Sequence, residues 1–98
     1  MDLKRAKTEL RKLIQEVNSE NSNKYYDKFG EVVESYRVAG GRGRYIYDYL
    51  MELDEEFGNK DKLKDEHLVD IMNRIVGYAP PFRKIIFDDL NEQTGEWR

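Results

Sequence analysis

The sequence contains no cysteine, only two prolines and a single histidine. Without cysteine the chain can form no disulfide, no thiolate metal site and no thiol nucleophile. No apolar run approaches the roughly 18 residues that a helix needs to cross a bilayer. The opening stretch "MDLKRAKTEL" is charged and then amphipathic, with no apolar signal segment. We therefore expect a soluble, cytoplasmic protein that makes no contact with a membrane.

Charge is abundant and unevenly distributed along the 98 residues, which carry a net charge of −3. Residues 1–47 hold 10 basic and 7 acidic side chains, whereas residues 48–98 hold 7 basic and 13 acidic ones. An acidic second half repels a phosphate backbone and attracts a basic protein surface. A basic face on the first half remains compatible with nucleic-acid binding. The length indicates one domain, residues 1–98.

Apolar residues recur at intervals of three and four through most of the chain, which is typical of amphipathic helices. The first such stripe runs from Leu3 to Val17, and two more lie in "KYYDKFGEVVESYRVAGG" and "RYIYDYLMELDEEFG". In the second, Gly30 marks either a close helix crossing or a break, and the glycines after Ala39 favour a helix end. The pattern predicts an all-α protein, a compact bundle of four to five short helices.

The last two helices are predicted largely from residues that favour the beginning or the end of a helix. Asp65 is the expected N-cap of the fourth helix, which ends at Gly77 or Ala79 because two prolines follow. Pro81 suits the first turn of a fifth helix, where its missing N–H is no loss. That helix would place Phe82, Ile85, Ile86 and Leu90 on its inner face, flanked by Phe87. We expect Trp97, in the polar tail, to fold back onto the core.

An α+β alternative, with a hairpin at residues 32–50, also fits the composition. "VVESYRV" and "RYIYDYL" are rich in β-branched and aromatic residues, and "AGGRG" could form the turn. Strict alternation would, however, place Asp48 on the same face as Ile46 and Leu50. The helical pattern makes no such conflict and continues to Phe57, so we favour the helices.

No catalytic set or cofactor motif is recognisable. We interpret His67 as a surface residue in the first turn of its helix, and no serine lies in a G-x-S-x-G elbow. Neither of the glycine-rich phosphate-binding motifs occurs in "GGRGR". Asp48, Glu52 and Glu55 or Glu56 share a helix face, which is typical of a solvated surface. We therefore predict no enzyme, no cofactor and no metal.

One stretch concentrates side chains that are typical of binding surfaces. "YRVAGGRGRYIYDY" places Arg37, Arg42 and Arg44 around a glycine turn, and Tyr47 lies off the apolar stripe as a candidate exposed anchor. Arginine and tyrosine are enriched at the energetic centres of protein interfaces. A second, smaller candidate is "YAPPFRK", a proline corner that would expose Tyr78 and Phe82 together with Arg83 and Lys84. The alternative, which we favour for the glycine turn, Gly40–Gly43, taken alone, is that it is only a connection between helices.

Our leading hypothesis is a small non-enzymatic protein-binding module, of the adaptor, inhibitor or immunity type, whose partner is another protein. The charge split between the halves could also let the chain form a homodimer. An alternative is a nucleic-acid-associated accessory protein that uses its basic side chains: Lys4, Arg5, Arg11, Lys12, Arg37, Arg42 and Arg44. A third hypothesis is a metal-dependent enzyme built on Asp48, Glu52 and Glu56.

Overall fold

Four α-helices make up most of the computed structural model, which describes all 98 residues. They are α1 (Leu3–Glu16), α2 (Ser22–Val38), α3 (Gly43–Leu53) and α4 (Lys62–Ile75). A π-helical turn (Asp54–Gly58) prolongs α3, a 3-10 turn (Pro81–Arg83) follows α4, and strands β1 (Leu90–Asn91) and β2 (Glu96–Trp97) pair antiparallel. The predicted all-α bundle is confirmed, and residues 32–50 form helices in place of the alternative hairpin. None of the helices has the length and apolarity to span a membrane.

The apolar stripes of the four helices meet in a single core. Each helix contributes side chains that are fully buried, and the segment after α4 adds two more. Burying one such side chain stabilises the fold by about 1.5–3 kcal/mol, so this core is the main source of stability. Its members are Ala6, Leu10, Ile14, Val17, Tyr25, Phe29, Val33, Tyr36, Ile46, Leu50, Leu53, Leu68, Ile71, Ile75, Ile85 and Phe87.

Helix α4 begins one turn earlier than predicted. The carboxylate of Asp61 accepts hydrogen bonds from the backbone N–H groups of Leu63 and Lys64, at 3.0 and 3.4 Å. Asp61 is therefore the N-cap, and Asp65 lies within the first turns of the helix. Aspartate occupies both positions. The helix begins after Asp61 because that carboxylate pairs N–H groups of the first turn, which would otherwise have no acceptor.

Two glycines bear on α2 in different ways. Gly40 has a φ of +89°, the left-handed conformation that ends a helix without strain in glycine alone. Gly30 lies in the uninterrupted interior of α2, where an added Cβ would come within 2.6 Å of the Arg74 guanidinium. Gly30 therefore permits a close approach between α2 and α4 and does not break the helix.

The predicted fifth helix is wrong. Pro80 and Lys84 have extended backbones, with ψ near 148° and 140°, so only the short 3-10 turn forms between them. Beyond it the chain stays extended, and Ile85 and Phe87 point inward at alternate positions, as in a strand. Phe82, which we expected on an inner face, is 86% exposed. The consecutive prolines cause this outcome, because Pro81 holds its preceding residue out of the helical conformation.

Candidate functional site

The glycine–arginine turn, residues 37–44, lies under the chain's own C-terminal segment. The carboxylate of Asp89 accepts hydrogen bonds from the backbone N–H groups of Gly43 and Arg44, at 2.8 and 3.1 Å. The preceding residue, Arg42, provides no side-chain cap of its own. A carboxylate at a helix N-terminus pairs orphan donors and complements the helix dipole. Asp89 therefore acts as the N-cap of α3 from a distant part of the sequence.

Aromatic packing reinforces this junction. The ring of Trp97 lies 5.8 Å from that of Tyr47, and Phe87 lies 5.9 Å from Tyr36. A Cβ at Gly43 would approach Trp97 and Phe87 to 2.6 and 2.7 Å. Gly43 is thus a point of close approach, and the prediction that Trp97 folds back onto the core is confirmed.

The prediction that Tyr47 is an exposed anchor is wrong. Tyr47 is partly buried against the core, while Tyr45 is 51% exposed. Both residues flank Ile46, which is fully buried and sets the rotation of α3. The C-terminal segment packs over Tyr47 and not over Tyr45. Trp97 therefore determines which of the two tyrosines is covered.

Two of the three arginines of the turn are engaged within the molecule. Arg37 forms a two-pronged salt bridge with Glu34, which lowers the pKa of that carboxyl. Arg42 donates to the backbone carbonyl of Arg98 at 3.0 Å and lies 3.9 Å from Asp89. Only the exposed side chain of Arg44 has no hydrogen-bond or ionic partner. The turn therefore serves mainly as a structural junction.

A cleft of about 460 Å³ opens beside this turn, where the start of α1 meets the ends of α2 and α3. Exposed apolar surface continues around it, since Val38 is 72% exposed and Tyr45 is half exposed. The lining of the cleft is mostly apolar and includes Met1, Leu3, Tyr36, Ala39 and Tyr45. This end of the molecule thus keeps some accessible apolar surface.

The proline corner, residues 78–84, exposes two large aromatic side chains. Tyr78 is 78% and Phe82 is 86% exposed. The backbone beneath them is held at both ends: Tyr78 N–H donates to the carbonyl of Asn73, and Arg83 N–H donates to that of Pro80, each at 2.8 Å. Pro80 and Pro81 restrict the backbone further. The corner therefore presents two exposed aromatic side chains on a rigid backbone.

Arg83 anchors this corner to α4. Its guanidinium lies 3.1 Å from one carboxylate oxygen of Asp70 and 3.4 Å from the other, and its carbonyl accepts a 2.7 Å hydrogen bond from Arg74. Burial lowers the pKa of Arg74. An open cleft of about 470 Å³ lies along this side of the corner. It is lined by Tyr26, Asp65, Glu66, Val69, Asp70, Asn73 and Arg83.

His67 is buried, with 1% of its surface exposed, so our interpretation of it as a surface residue is wrong. Its Nε2 lies 2.8 Å from the Ser22 hydroxyl, its ring stacks on Tyr26 at 3.8 Å, and its Nδ1 has no partner. Burial lowers the pKa of His67. The sequence did contain a signal, because His67, Ile71 and Ile75 repeat every four residues and share a helix face.

Carboxyl groups meet at the far end of α3. One oxygen of Asp54 is buried without a donor, and its carboxyl lies beside that of Asp65. Burial, together with the hydrogen bond to Asp65, raises the pKa of Asp54 to about 6. Two like carboxyls in this position favour sharing one proton.

The acids of the metal hypothesis are dispersed. Asp48 and Glu52 are exposed, whereas Glu56 receives two hydrogen bonds from Arg11, at 2.7 and 3.0 Å. These bonds lower the pKa of Glu56. No group of three or more histidine or acidic side chains lies close enough to hold a metal ion.

The basic side chains of the nucleic-acid hypothesis are also partly engaged. Arg11 is held by Glu56, and Arg37 by Glu34. Lys4, Arg5 and Lys12 are exposed along α1. Arg42 also lies within 3.9 Å of Asp89, so pairing engages three positive charges of the proposed face and leaves a smaller patch for a phosphate backbone.

Comparisons with protein-family models, with curated proteins and with solved structures find no match to this chain. The candidate site is therefore defined by geometry. Of the six residues predicted to bind, the structure brings Arg37, Arg42 and Arg44 together at the covered turn, with Tyr47 packed beside them. Tyr78 and Arg83 belong to the proline corner, where Phe82 is exposed beside them.

Proposed function

We propose that this protein is a small protein-binding module whose main contact surface is the proline corner. The observation that carries the proposal is the exposure of Phe82 and Tyr78, 86% and 78%, on a backbone held by hydrogen bonds. Scattered exposed apolar residues are ordinary on protein surfaces, but two large aromatics on one rigid turn are a recognisable contact surface. A protein of the adaptor, inhibitor or immunity type would use such a surface to bind its partner.

The energetics favour this surface over the glycine–arginine turn. Burying Phe82 in a partner would contribute about 1.5–3 kcal/mol, and aromatic anchors of this kind dominate measured interfaces. A segment that is already ordered loses little conformational entropy on binding. At the glycine–arginine turn, by contrast, Arg37 and Arg42 would first have to leave their intramolecular partners.

The charge beside the corner indicates the kind of partner. Asp65, Glu66 and Asp70 line the adjoining cleft, and only Asp70 is neutralised by a salt bridge, to Arg83. Complementary potentials steer association and select partners. We therefore propose a partner that presents an apolar pocket bordered by basic side chains.

Site-directed photo-crosslinking in the native cell lysate tests the proposal. A photoreactive phenylalanine replaces Phe82 in one variant and Tyr45 in a matched control, since both positions carry exposed aromatic side chains. We expect one defined crosslinked protein from position 82, competed away by unmodified parent but not by a Phe82→Ser/Tyr78→Ser variant. Crosslinks from position 45 alone would move the contact surface to the cleft beside the glycine–arginine turn. No specific crosslink from either position would contradict the proposed function.

A further inference from the structure

The first residue of α2 and a buried residue of α4 form a hydroxyl–imidazole pair. Ser22 Oγ and His67 Nε2 are 2.8 Å apart, although 45 positions separate them in sequence. Stacking on Tyr26 and a tilted contact with Phe29, at centroid distances of 3.8 and 5.7 Å, fix the imidazole ring. A serine within hydrogen-bond reach of a held imidazole is the arrangement that activates a hydroxyl as a nucleophile.

Backbone donors lie at the same place. The cap residue of α2, Asn21, does not cap the helix with its side chain, which instead bonds to Asn18 N–H and to the Glu16 carbonyl. The N–H groups of Ser22 and Asn23 consequently have no side-chain acceptor within the protein. In hydrolases the N–H of the residue after the nucleophilic serine stabilises the oxyanion, and Asn23 holds that position here.

We propose that Ser22 is a nucleophilic site that accepts acyl groups from carboxylic esters, with His67 as its general base. The N–H groups of Ser22 and Asn23 are the donors for the oxyanion. This reactivity does not depend on the proposed protein binding, because neither Phe82 nor Tyr78 takes part in it.

The step balances without any cofactor. The Ser22 oxygen attacks the ester carbonyl carbon as its proton passes to His67 Nε2, which gives a tetrahedral oxyanion. The oxyanion collapses, the bond from carbon to the leaving alkoxide breaks, and His67 returns its proton to that oxygen. The products are an ester on Ser22 and a free alcohol, and His67 is again neutral. Burial lowers the pKa of His67, so the base is already deprotonated near pH 7.

The surroundings set the ester class and limit the rate. Tyr26, which covers His67, also lines the cleft that contains Asp65, Glu66 and Asp70, so anionic esters are repelled and neutral or cationic ones are accepted. His67 Nδ1 has no carboxylate to orient it or to stabilise an imidazolium. We therefore expect an acceleration of about 100-fold over an ordinary serine, at the lower end of what a general base provides.

The test measures which hydroxyl reacts. The parent protein is treated with p-nitrophenyl acetate, and separately with a neutral fluorophosphonate, and peptide mass spectrometry gives the rate at each serine. Ser19 and Ser35 are exposed and serve as references within the same molecule. We expect Ser22 to react about 100-fold faster than either reference. In a His67→Gln variant, which can still hydrogen-bond to Ser22, the rate should fall to the reference level.

Two results would overturn the proposal. The first is a Ser22 rate within a factor of two of Ser19 and Ser35 in the folded parent. The second is a fast Ser22 rate that the parent shows without any dependence on pH through the titration of His67. The pH profile uses the parent alone, so it decides the role of His67 even where the His67→Gln variant fails to fold.

Discussion

The glycine–arginine turn and the proline corner have similar residue types and opposite surroundings. Each joins two elements and has arginine together with large aromatic side chains in it or directly beside it, yet the first is covered and the second is bare. Phe87 is 1% exposed beside the turn, whereas Phe82 is 86% exposed at the corner. Arginine and tyrosine in a turn therefore indicate a binding surface only where no other segment of the chain packs over them.

The two regions differ because the chain's own C-terminal segment covers the glycine–arginine turn. Asp89 reaches the turn from 46 residues away and occupies the N-terminus of α3. No comparable segment covers Tyr78 or Phe82. A surface whose donors are already paired gains little from an outside ligand, whereas a bare aromatic surface gains the full transfer free energy.

The largest expected effect comes from opening the covered region. A Gly43→Val substitution would drive a side chain into Trp97 and Phe87, and we expect it to lower the free energy of unfolding by about 3 kcal/mol. Urea denaturation measures this, and the emission of Trp97, the only tryptophan, should shift to longer wavelength. Gly40→Ala is the control. It meets no atom within 4 Å and should cost only about 1–2 kcal/mol through its left-handed backbone. Equal losses for the two variants would contradict the close packing at Gly43.

Removing the distant cap should have a smaller effect. Asp89→Ala leaves the N–H groups of Gly43 and Arg44 without their acceptor, and we expect a loss of about 1–2 kcal/mol in the free energy of unfolding. The exposed neighbour Asp88 provides a matched control, since Asp88→Ala should change stability by no more than about 0.5 kcal/mol. Similar values for both variants would show that Asp89 does not hold the turn.

The carboxyl of Asp54 differs from that of Asp89 in its hydrogen bonding. Asp89 accepts two backbone hydrogen bonds, whereas one oxygen of Asp54 is buried without a hydrogen-bond donor. Its pKa is raised in the folded protein to about 6, so its favourable contribution is present at low pH and is lost as pH rises through that value. We expect Asp54→Asn to stabilise the protein by about 1 kcal/mol at pH 8 and to leave it unchanged near pH 4. Urea denaturation at both pH values measures this. The exposed Glu52→Gln is the control substitution, and a destabilised Asp54→Asn at pH 8 would argue against the unfavourable burial of the Asp54 carboxyl beside Asp65.

The smallest effect is expected at the proline corner itself. Phe82→Ser should change the free energy of unfolding by no more than about 0.5 kcal/mol, because its side chain contacts solvent in the folded and unfolded states alike. Ile85→Ser, three residues further on, replaces a buried side chain and should cost about 3 kcal/mol or more. Thermal and urea unfolding of the pair measure the contrast. A large loss for Phe82→Ser would mean that Phe82 belongs to the core and not to a contact surface.

The helices were predictable because their signals are local. Stripes such as Leu10, Ile14 and Val17 bury one face of a helix in any bundle, and Gly40 ends α2 by its own backbone preference. The cap of α4 was missed by one turn because Asp61 and Asp65 are both suitable, and only the hydrogen bonds to Leu63 and Lys64 distinguish them.

The candidate site was less predictable, since exposure depends on distant contacts. Tyr45 and Tyr47 flank Ile46 almost equally, and Trp97 decides which of them is covered. His67 was missed although its spacing from Ile71 indicated the core. Its pairing with Ser22 joins the start of α2 to α4, and no local pattern specifies which hydroxyl a buried imidazole will meet.

The sequence by itself determined the helical class of this protein, the positions of its apolar stripes and the break that two prolines impose after α4. These features arise from periodicity and backbone preference, which act over a few neighbouring residues. Only the tertiary structure decided that Asp89 caps α3, that His67 meets Ser22, and that Phe82 remains bare while Phe87 is buried. Each of these outcomes depends on two segments far apart in the chain coming together as the core forms.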